Sequence, residues 1–279
     1  PSTLFYKSQD RVYIVDPGHG KKRVKQLEKA VRELGGESIA IVTHFHSDHL
    51  AVLYQGFEPR RVLAPRLDLP MIWNGRMRLH YTFGYPFNGD EEYLLFKAGS
   101  VPGAEELDES IVAPLEIVDL PGHTPGQIGV LTPDGVLYAA DSIFGSKVLD
   151  TYAVPYHADP CTARTTLEEI KSMAPKLRYL VPSHGPVVSG QDVDAMIEAN
   201  IKRIDDAWRT IRAILEEKGQ ATVGELAYEL IRKYGSEGSE AKPGLAILVE
   251  TAVRGFLGCN GGLVEPVVTE RGVSWKLKG

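Results

Sequence analysis

The segment from Thr43 to His49 carries three imidazoles and a carboxylate, His44, His46, Asp48 and His49, within six residues. Neutral imidazole and carboxylate are good ligands for zinc and similar divalent metals. The apolar run Ile39 to Val42 precedes the cluster and reads as a buried strand that delivers His44. Three more strand-like runs end in the same way. Ile117 to Leu120 leads to His123 in the turn Gly122-His123-Thr124-Pro125-Gly126, Val136 to Ala140 ends on Asp141, and Arg178 to Val181 leads to His184. Seven candidate ligands result: His44, His46, Asp48, His49, His123, Asp141 and His184. They take five of the eight histidines in the chain. Seven groups exceed what one tetrahedral zinc accepts. They suit two divalent ions sharing a bridging carboxylate, zinc first, with iron or manganese as alternatives. Two such ions roughly 3.5–4 Å apart can bridge a hydroxide, lower the pKa of the shared water and clamp the attacking and leaving oxygens. Hydrolysis is the chemistry this pattern leads one to expect, with Asp48 also placed to orient the hydroxide or carry its proton.

The elements that must position these groups can be read from the same chain. Thr3 to Tyr6 and Arg11 to Val15 look like short strands, the second ending in the turn Asp16-Pro17-Gly18. Val24, Leu27, Ala30, Val31 and Leu34 mark an amphipathic helix closed by Gly35 and Gly36. A short helix is expected from Asp48 to Tyr54, a strand from Arg61 to Ala64, and a helix from Thr165 to Met173. Residues 66–110 fit no simple period and read as an irregular insertion, either a lid over the site or a peripheral hairpin. Within them Tyr81, Phe83, Tyr85 and Phe87 alternate with strand period.

The composition changes near Gln191. A long amphipathic helix from Asp192 to Lys218 precedes a second helix opened by Thr222 and Glu225, a capping-box pair. Pro243 can start a third helix through Phe256 or Leu257, and Leu263 to Val268 with Val273 to Leu277 reads as a hairpin. Three helices and a hairpin form a winged-helix-like pattern. The expected division is therefore a catalytic domain over 1–190 and a small domain over 191–279.

In this sequence the histidine cluster, the Gly122 to Gly126 turn, Asp141 after a strand and Ser183-His184-Gly185 resemble the metallo-β-lactamase superfamily over residues 1 to about 190. The resemblance implies an α/β fold, an αβ/βα sandwich with the metals at one edge of two facing sheets. It implies that His44, His46 and His123 hold one metal, that Asp48, His49 and His184 hold the other, and that Asp141 bridges them. The Gly-His-Thr-Pro-Gly form is similar to the glyoxalase II-like branch. Flavin-linked diiron relatives carry Glu where this chain has His46, and many lactonases carry Tyr where it has Phe144. The tail is similar to that of lactamase-B-like proteins, some of which cleave RNA. The readings that follow are a binuclear hydrolase of an ester, thioester, amide or phosphodiester, a mononuclear iron sulfur dioxygenase, and an endoribonuclease or nucleic-acid-binding protein.

Bulk properties weigh among these. The net charge of −6 leaves no electrostatic footprint for nucleic acid or an anionic membrane. From Gly190 onward 12 Lys and Arg face 14 Asp and Glu, and the third helix carries only Glu250 and Arg254. A recognition helix normally brings several basic residues to phosphates. A tail that packs on the catalytic domain or makes a homodimer contact is the favoured reading, and a small molecule is the expected substrate. No apolar run is long enough to span a bilayer and no signal peptide is visible, so a cytoplasmic location is expected. Cys161 and Cys259, with no CxxC spacing, read as unpaired thiols of a reducing compartment. His19 and His80 read as surface or structural residues, and His157 as a residue that could face substrate.

Overall fold

The computed structural model describes residues 1–84, 99–239 and 242–279. Two sheets face each other. In the first, β1 (Leu4–Ser8) pairs antiparallel with β2 (Arg11–Val15), and β2, β3 (Glu37–Ile41), β4 (Arg61–Ala64) and β5 (Glu105–Glu106) follow in parallel. In the second, β6 (Glu116–Asp119), β7 (Ile128–Leu131) and β8 (Val136–Ala140) are antiparallel, and β9 (Tyr179–Pro182) joins β8 in parallel. The two-residue period of each strand sorts its side chains between layers. Tyr13, Val15, Ile39 and Ile41 meet Ile128, Val130, Tyr138 and Ala140 between the sheets. The alternate residues Val12 and Ile14 pack against Val24 and Leu27 of α1 (Lys21–Leu34) and Val52 of α2 (Ser47–Tyr54) on the outer face. Leu137, Ala139 and Leu180 of the second sheet face Leu167 and Ile170 of α7 (Pro160–Met173) and Ile197 and Ile201 of α8 (Gln191–Lys218). The layers are therefore αβ/βα, as the family resemblance implies.

The segment 66–110 is more regular than its composition suggests. It holds α3 (Leu69–Trp73) and α4 (Gly75–Phe83). The strand expected through Tyr81 and Phe83 is a helix instead. Asn74 caps it by accepting from the amides of Arg76 and Met77, Gly84 closes it with φ 74°, and Leu79 and Phe83, four apart, bury one face. Tyr85, Phe87, Tyr93 and Phe96 lie outside the described residues. Two further short helices were not legible in the sequence: α5 (Glu109–Val112) and α6 (Ser146–Thr151).

Beyond α8 come β10 (Ala221–Thr222), α9 (Val223–Tyr234), α10 (Pro243–Cys259) and the hairpin of β11 (Val264–Thr269) and β12 (Gly272–Leu277). The strands form a small sheet in the order β10-β12-β11. Thr222 and Glu225 do form a reciprocal capping box. One apolar core runs without interruption from Leu120 in the sandwich to Val264 in this helical unit. The helix α8 spans both: Asn200 hydrogen-bonds both backbone groups of Phe144, while Thr210 meets Tyr234 further along.

The two cysteines are not free. Cys161, near the start of α7, and Cys259, at the end of α10, form a disulfide across a sequence separation of 98. Sequence spacing gave no sign of this, because only the packing of α10 on α7 brings the two positions together. Two paired cysteines remove the argument for a reducing compartment that rested on unpaired ones. Among the described residues no helix is long and apolar enough to cross a membrane.

Candidate metal centre

Every candidate ligand stands just past the end of a strand. β3 runs into Val42, Thr43 and His44, and His46 then precedes the first turn of α2, which carries Asp48 and His49. His123 lies on the loop from β6 to β7. Gly122 there has φ 125°, and a Cβ on it would sit 2.4 Å from the Ala163 amide nitrogen. Only glycine permits that approach of the loop to α7. Asp141 follows β8, and Ser183 and His184 follow β9. Two parallel strands with a common C-terminal edge thus carry Asp141 and His184 side by side.

The seven groups converge. Ligand atoms of His44, His46 and His123 lie within 4.8 Å of one another, and so do those of Asp48, His49 and His184. Asp141 stands between the two triplets: its Oδ2 is 3.5 Å from Nε2 of His123, 3.5 Å from Nε2 of His49 and 3.7 Å from Nε2 of His184. Nδ1 of His46 faces Nε2 of His123 at 2.8 Å, and Nε2 of His184 faces Oδ2 of Asp48 at 2.9 Å. Nε2 of His44, Nε2 of His49 and Oδ1 of Asp141 are buried with no hydrogen-bond partner. Buried polar atoms normally have one, so several orphans aimed into one small space fit a cation.

The surroundings fix which ring nitrogen is offered. His123 donates from Nδ1 to the Tyr156 carbonyl at 2.7 Å, leaving Nε2 for a metal. His49 donates from Nδ1 to Oδ2 of Asp16 at 2.8 Å. Such outer hydrogen bonds set the tautomer and ring orientation of a metal ligand. Asp16 also accepts from the amide and hydroxyl of Thr43 and from the Tyr138 hydroxyl. Its carboxylate lies within ligand reach of His44 and His49, but with four donors on it the role is orientation. Asp68, fully buried, clips the two ligand loops together by accepting from the Phe45 amide, the Thr124 hydroxyl and the Gly126 amide.

Electrostatics follow the same division. Burial lowers the pKa of His46 to about 4 and that of His123 to about 3, and holds His44 well below its ordinary value. These imidazoles stay neutral, as ligands must. Burial would lower His49 too, but Asp48, Asp141 and Asp16 outweigh it and hold its pKa well above the ordinary value. Three carboxylates around one imidazole favour a positive charge there, which a proton or a metal ion can supply.

A pocket of about 130 Å³ opens over the cluster, with His46, Asp48, His123, Asp141 and His184 at its floor. Arg78 of α4 also lines it. Its guanidinium is buried, donates to the carbonyls of Met71 and Gly99, and has no carboxylate partner among the described residues. The remaining histidines do not reach the pocket. His19 and His80 are exposed, and His157 is buried behind His123, with ring centres 5.8 Å apart, rather than facing the cavity.

A sequence profile of the metallo-beta-lactamase superfamily matches residues 1–184, about two thirds of the chain. The chain belongs to the metallo-β-lactamase superfamily. All seven clustered groups, through His184, fall inside the matched span. No curated protein sequence matches. Solved structures show the superfamily fold. A beta-lactamase domain protein from Burkholderia ambifaria superposes with a TM-score of 0.68 at 17% identity, covering 99% of this chain and 86% of that one. The metallo-beta-lactamase FIM-1 from Pseudomonas aeruginosa, in a mono-zinc form, gives 0.53 at 20% identity over 74% of this chain and 83% of its own. VMB-1 gives 0.55 at 17% identity over 74% and 84%. The first superposition extends past α8 through the helical unit that follows it.

Of the residues that shape the centre, Asp68 and Tyr138 went unrecognised in the sequence. Asp16 stood out only as part of a turn. A buried aspartate in a loop has no periodic signature, and its partners lie up to 122 residues away.

Proposed function

We propose that this chain is a metal-dependent hydrolase with a two-metal centre, acting on a small molecule through an ester or thioester bond. One observation carries the reading: two triplets of ligand atoms flank a single carboxylate, and buried ring nitrogens without partners point between them. His44, His46 and His123 would hold one ion, Asp48, His49 and His184 the other, with Asp141 shared. Bound there, divalent ions such as zinc polarise a scissile carbonyl and bring the pKa of water towards neutrality.

The chain's own groups do the rest. Asp16, Thr43 and the Tyr156 carbonyl hold His49, His44 and His123 in the tautomers that leave one nitrogen free. Asp48, at the pocket floor, can accept the proton of the attacking water. In the net reaction water adds across the acyl bond: the acyl carbon keeps the oxygen, and the alcohol or thiol leaves with a proton. The concave, largely apolar pocket and the acidic tail favour a small substrate over a nucleic acid.

Metal analysis of the purified chain, followed by a hydrolysis screen of esters, thioesters, lactones, phosphodiesters and short RNA, tests the proposal. Close to two equivalents of zinc, or of another divalent metal, and cleavage of acyl substrates are expected. His123→Ala should abolish cleavage and lower the bound metal while the sandwich stays folded. One equivalent of iron with persulfide-dependent oxygen uptake would overturn it in favour of a sulfur dioxygenase.

A further inference from the structure

Above its polar floor the pocket is walled by hydrocarbon from three separate parts of the chain. Leu79 and Phe83 come from α4, Phe144 and Val148 from the segment after Asp141, and Leu248 from α10 in the C-terminal unit. These walls are held in place. Asn200 of α8 brackets Phe144, and Arg203 donates to the carbonyls of Leu149 within α6 and Ala153 just beyond it. Leu79 and Phe83 pack directly on Ile247 and Leu248. The disulfide from Cys161 to Cys259 ties the end of α10 to α7. The wall also carries polar groups: Thr82 donates to the Arg78 carbonyl and Arg78 to two backbone carbonyls, Ser47 and Tyr152 line the pocket too, and Nε of Arg78 and the Tyr156 hydroxyl have no hydrogen-bond partner.

The stretch formed by Leu79, Phe83, Phe144, Val148 and Leu248 offers little to a sugar or a phosphate, whose polar groups would lose water there without new partners. It gains when a hydrocarbon chain displaces that water.

We infer that the site takes esters or thioesters whose acyl part is a medium-length hydrocarbon chain, and that Leu248 makes the C-terminal unit a specificity element. The inference rests on the hydrolase reading above and adds the substrate class. Water attacks the carbonyl at the floor, while the acyl chain lies along Leu79, Phe144, Val148 and Leu248.

Calorimetric titration of the zinc-loaded full chain with acetate, butanoate, hexanoate and octanoate tests the wall apart from turnover. All four acids present the same carboxylate to the floor, so their differences report the chain alone. Affinity should rise roughly two- to fourfold per methylene, leaving octanoate, six methylenes longer, at least about sixtyfold tighter than acetate. The p-nitrophenyl esters of the same acids should show the same order in kcat/KM. Leu248→Asp, and separately Val148→Asp on α6, should cut the octanoate-to-acetate ratio by tenfold or more, whereas Leu248→Met should keep it. Equal affinities for acetate and octanoate, or a ratio untouched by both aspartates, would overturn the inference. If octanoate binds with the expected preference but no ester or thioester is cleaved, the hydrolase reading fails and the apolar acyl wall stands.

Discussion

Asp16→Asn isolates the charge that orients His49. Asp16 has φ 49°, a left-handed conformation that asparagine adopts more readily than most residues. The substitution therefore keeps backbone and size and changes only the carboxylate. Oδ2 receives three donors, Nδ1 of His49 at 2.8 Å, the Tyr138 hydroxyl at 3.0 Å and the Thr43 hydroxyl at 2.7 Å, while Oδ1 receives the Thr43 amide at 2.8 Å. An amide satisfies one side only. If its oxygen takes the Oδ2 position, its NH2 meets the Thr43 N–H, donor against donor in a buried site. If it is turned round, the NH2 faces Nδ1 of His49, and the imidazole proton must move to Nε2, the nitrogen aimed at Asp48 and Asp141. Either way one charge-assisted bond is lost and one buried donor is left unpaired, together about 2–4 kcal/mol of stability. Metal affinity should fall about 10–100-fold, as for other lost outer partners of a ligating histidine. Asp16→Ala should cost about 1–2 kcal/mol more, because alanine gains nothing to offset the left-handed backbone. Guanidinium unfolding of the chelator-treated protein and competitive zinc titration measure the two effects. Unchanged zinc affinity and an unchanged unfolding midpoint in Asp16→Asn would refute the orienting role.

Three further outcomes are expected. Reducing the Cys161–Cys259 disulfide, or replacing both cysteines with serine, releases a loop of about a hundred residues in the unfolded chain and should cost about 2–4 kcal/mol, read as a lower urea midpoint; an equal midpoint with and without reductant would count against the crosslink. Gly255→Ala places a Cβ 2.7 Å from the Ala158 carbonyl oxygen and 2.9 Å from Pro160. It should cost about 1–3 kcal/mol and weaken zinc binding, since the displaced loop carries the Tyr156 carbonyl that holds His123; Gly258→Ala, with open space around it, should do neither. Burial lowers the His157 pKa to about 3, below its ordinary value. Its neutral form is therefore matched in both states above about pH 6.5, and stability is lost as pH falls, because only the unfolded chain takes up the proton. In the metal-free protein each buried histidine of this kind should steepen the acid limb by about 1.4 kcal/mol per pH unit. His157→Gln should flatten it by one proton in urea titrations at pH 7, 6 and 5, and stability that stays flat over that range would refute the burial argument.

The sequence by itself determined the candidate ligands and most of the frame. The candidate ligands lie at strand ends or in the loop and helix turn just beyond them, and strand period and helix period are local signals that survive without knowledge of the fold. The parallel strands ahead of His44 and His184 and the capped helix after Thr222 were legible for that reason. The helix α4 was not, because one cap residue and two buried side chains, Leu79 and Phe83, outweigh the strand-like spacing of Tyr81 and Phe83. Tertiary structure alone decided what surrounds the ligands. The bonds of Asp16 to His49, Asp68 to two loops and Cys161 to Cys259 join positions 33, 23 to 58 and 98 residues apart. Such pairings depend on layers and crossings that no local period encodes. The same holds for Leu248: α10 reads as an ordinary amphipathic helix, and only its packing against α4 turns one of its leucines into a wall of the pocket.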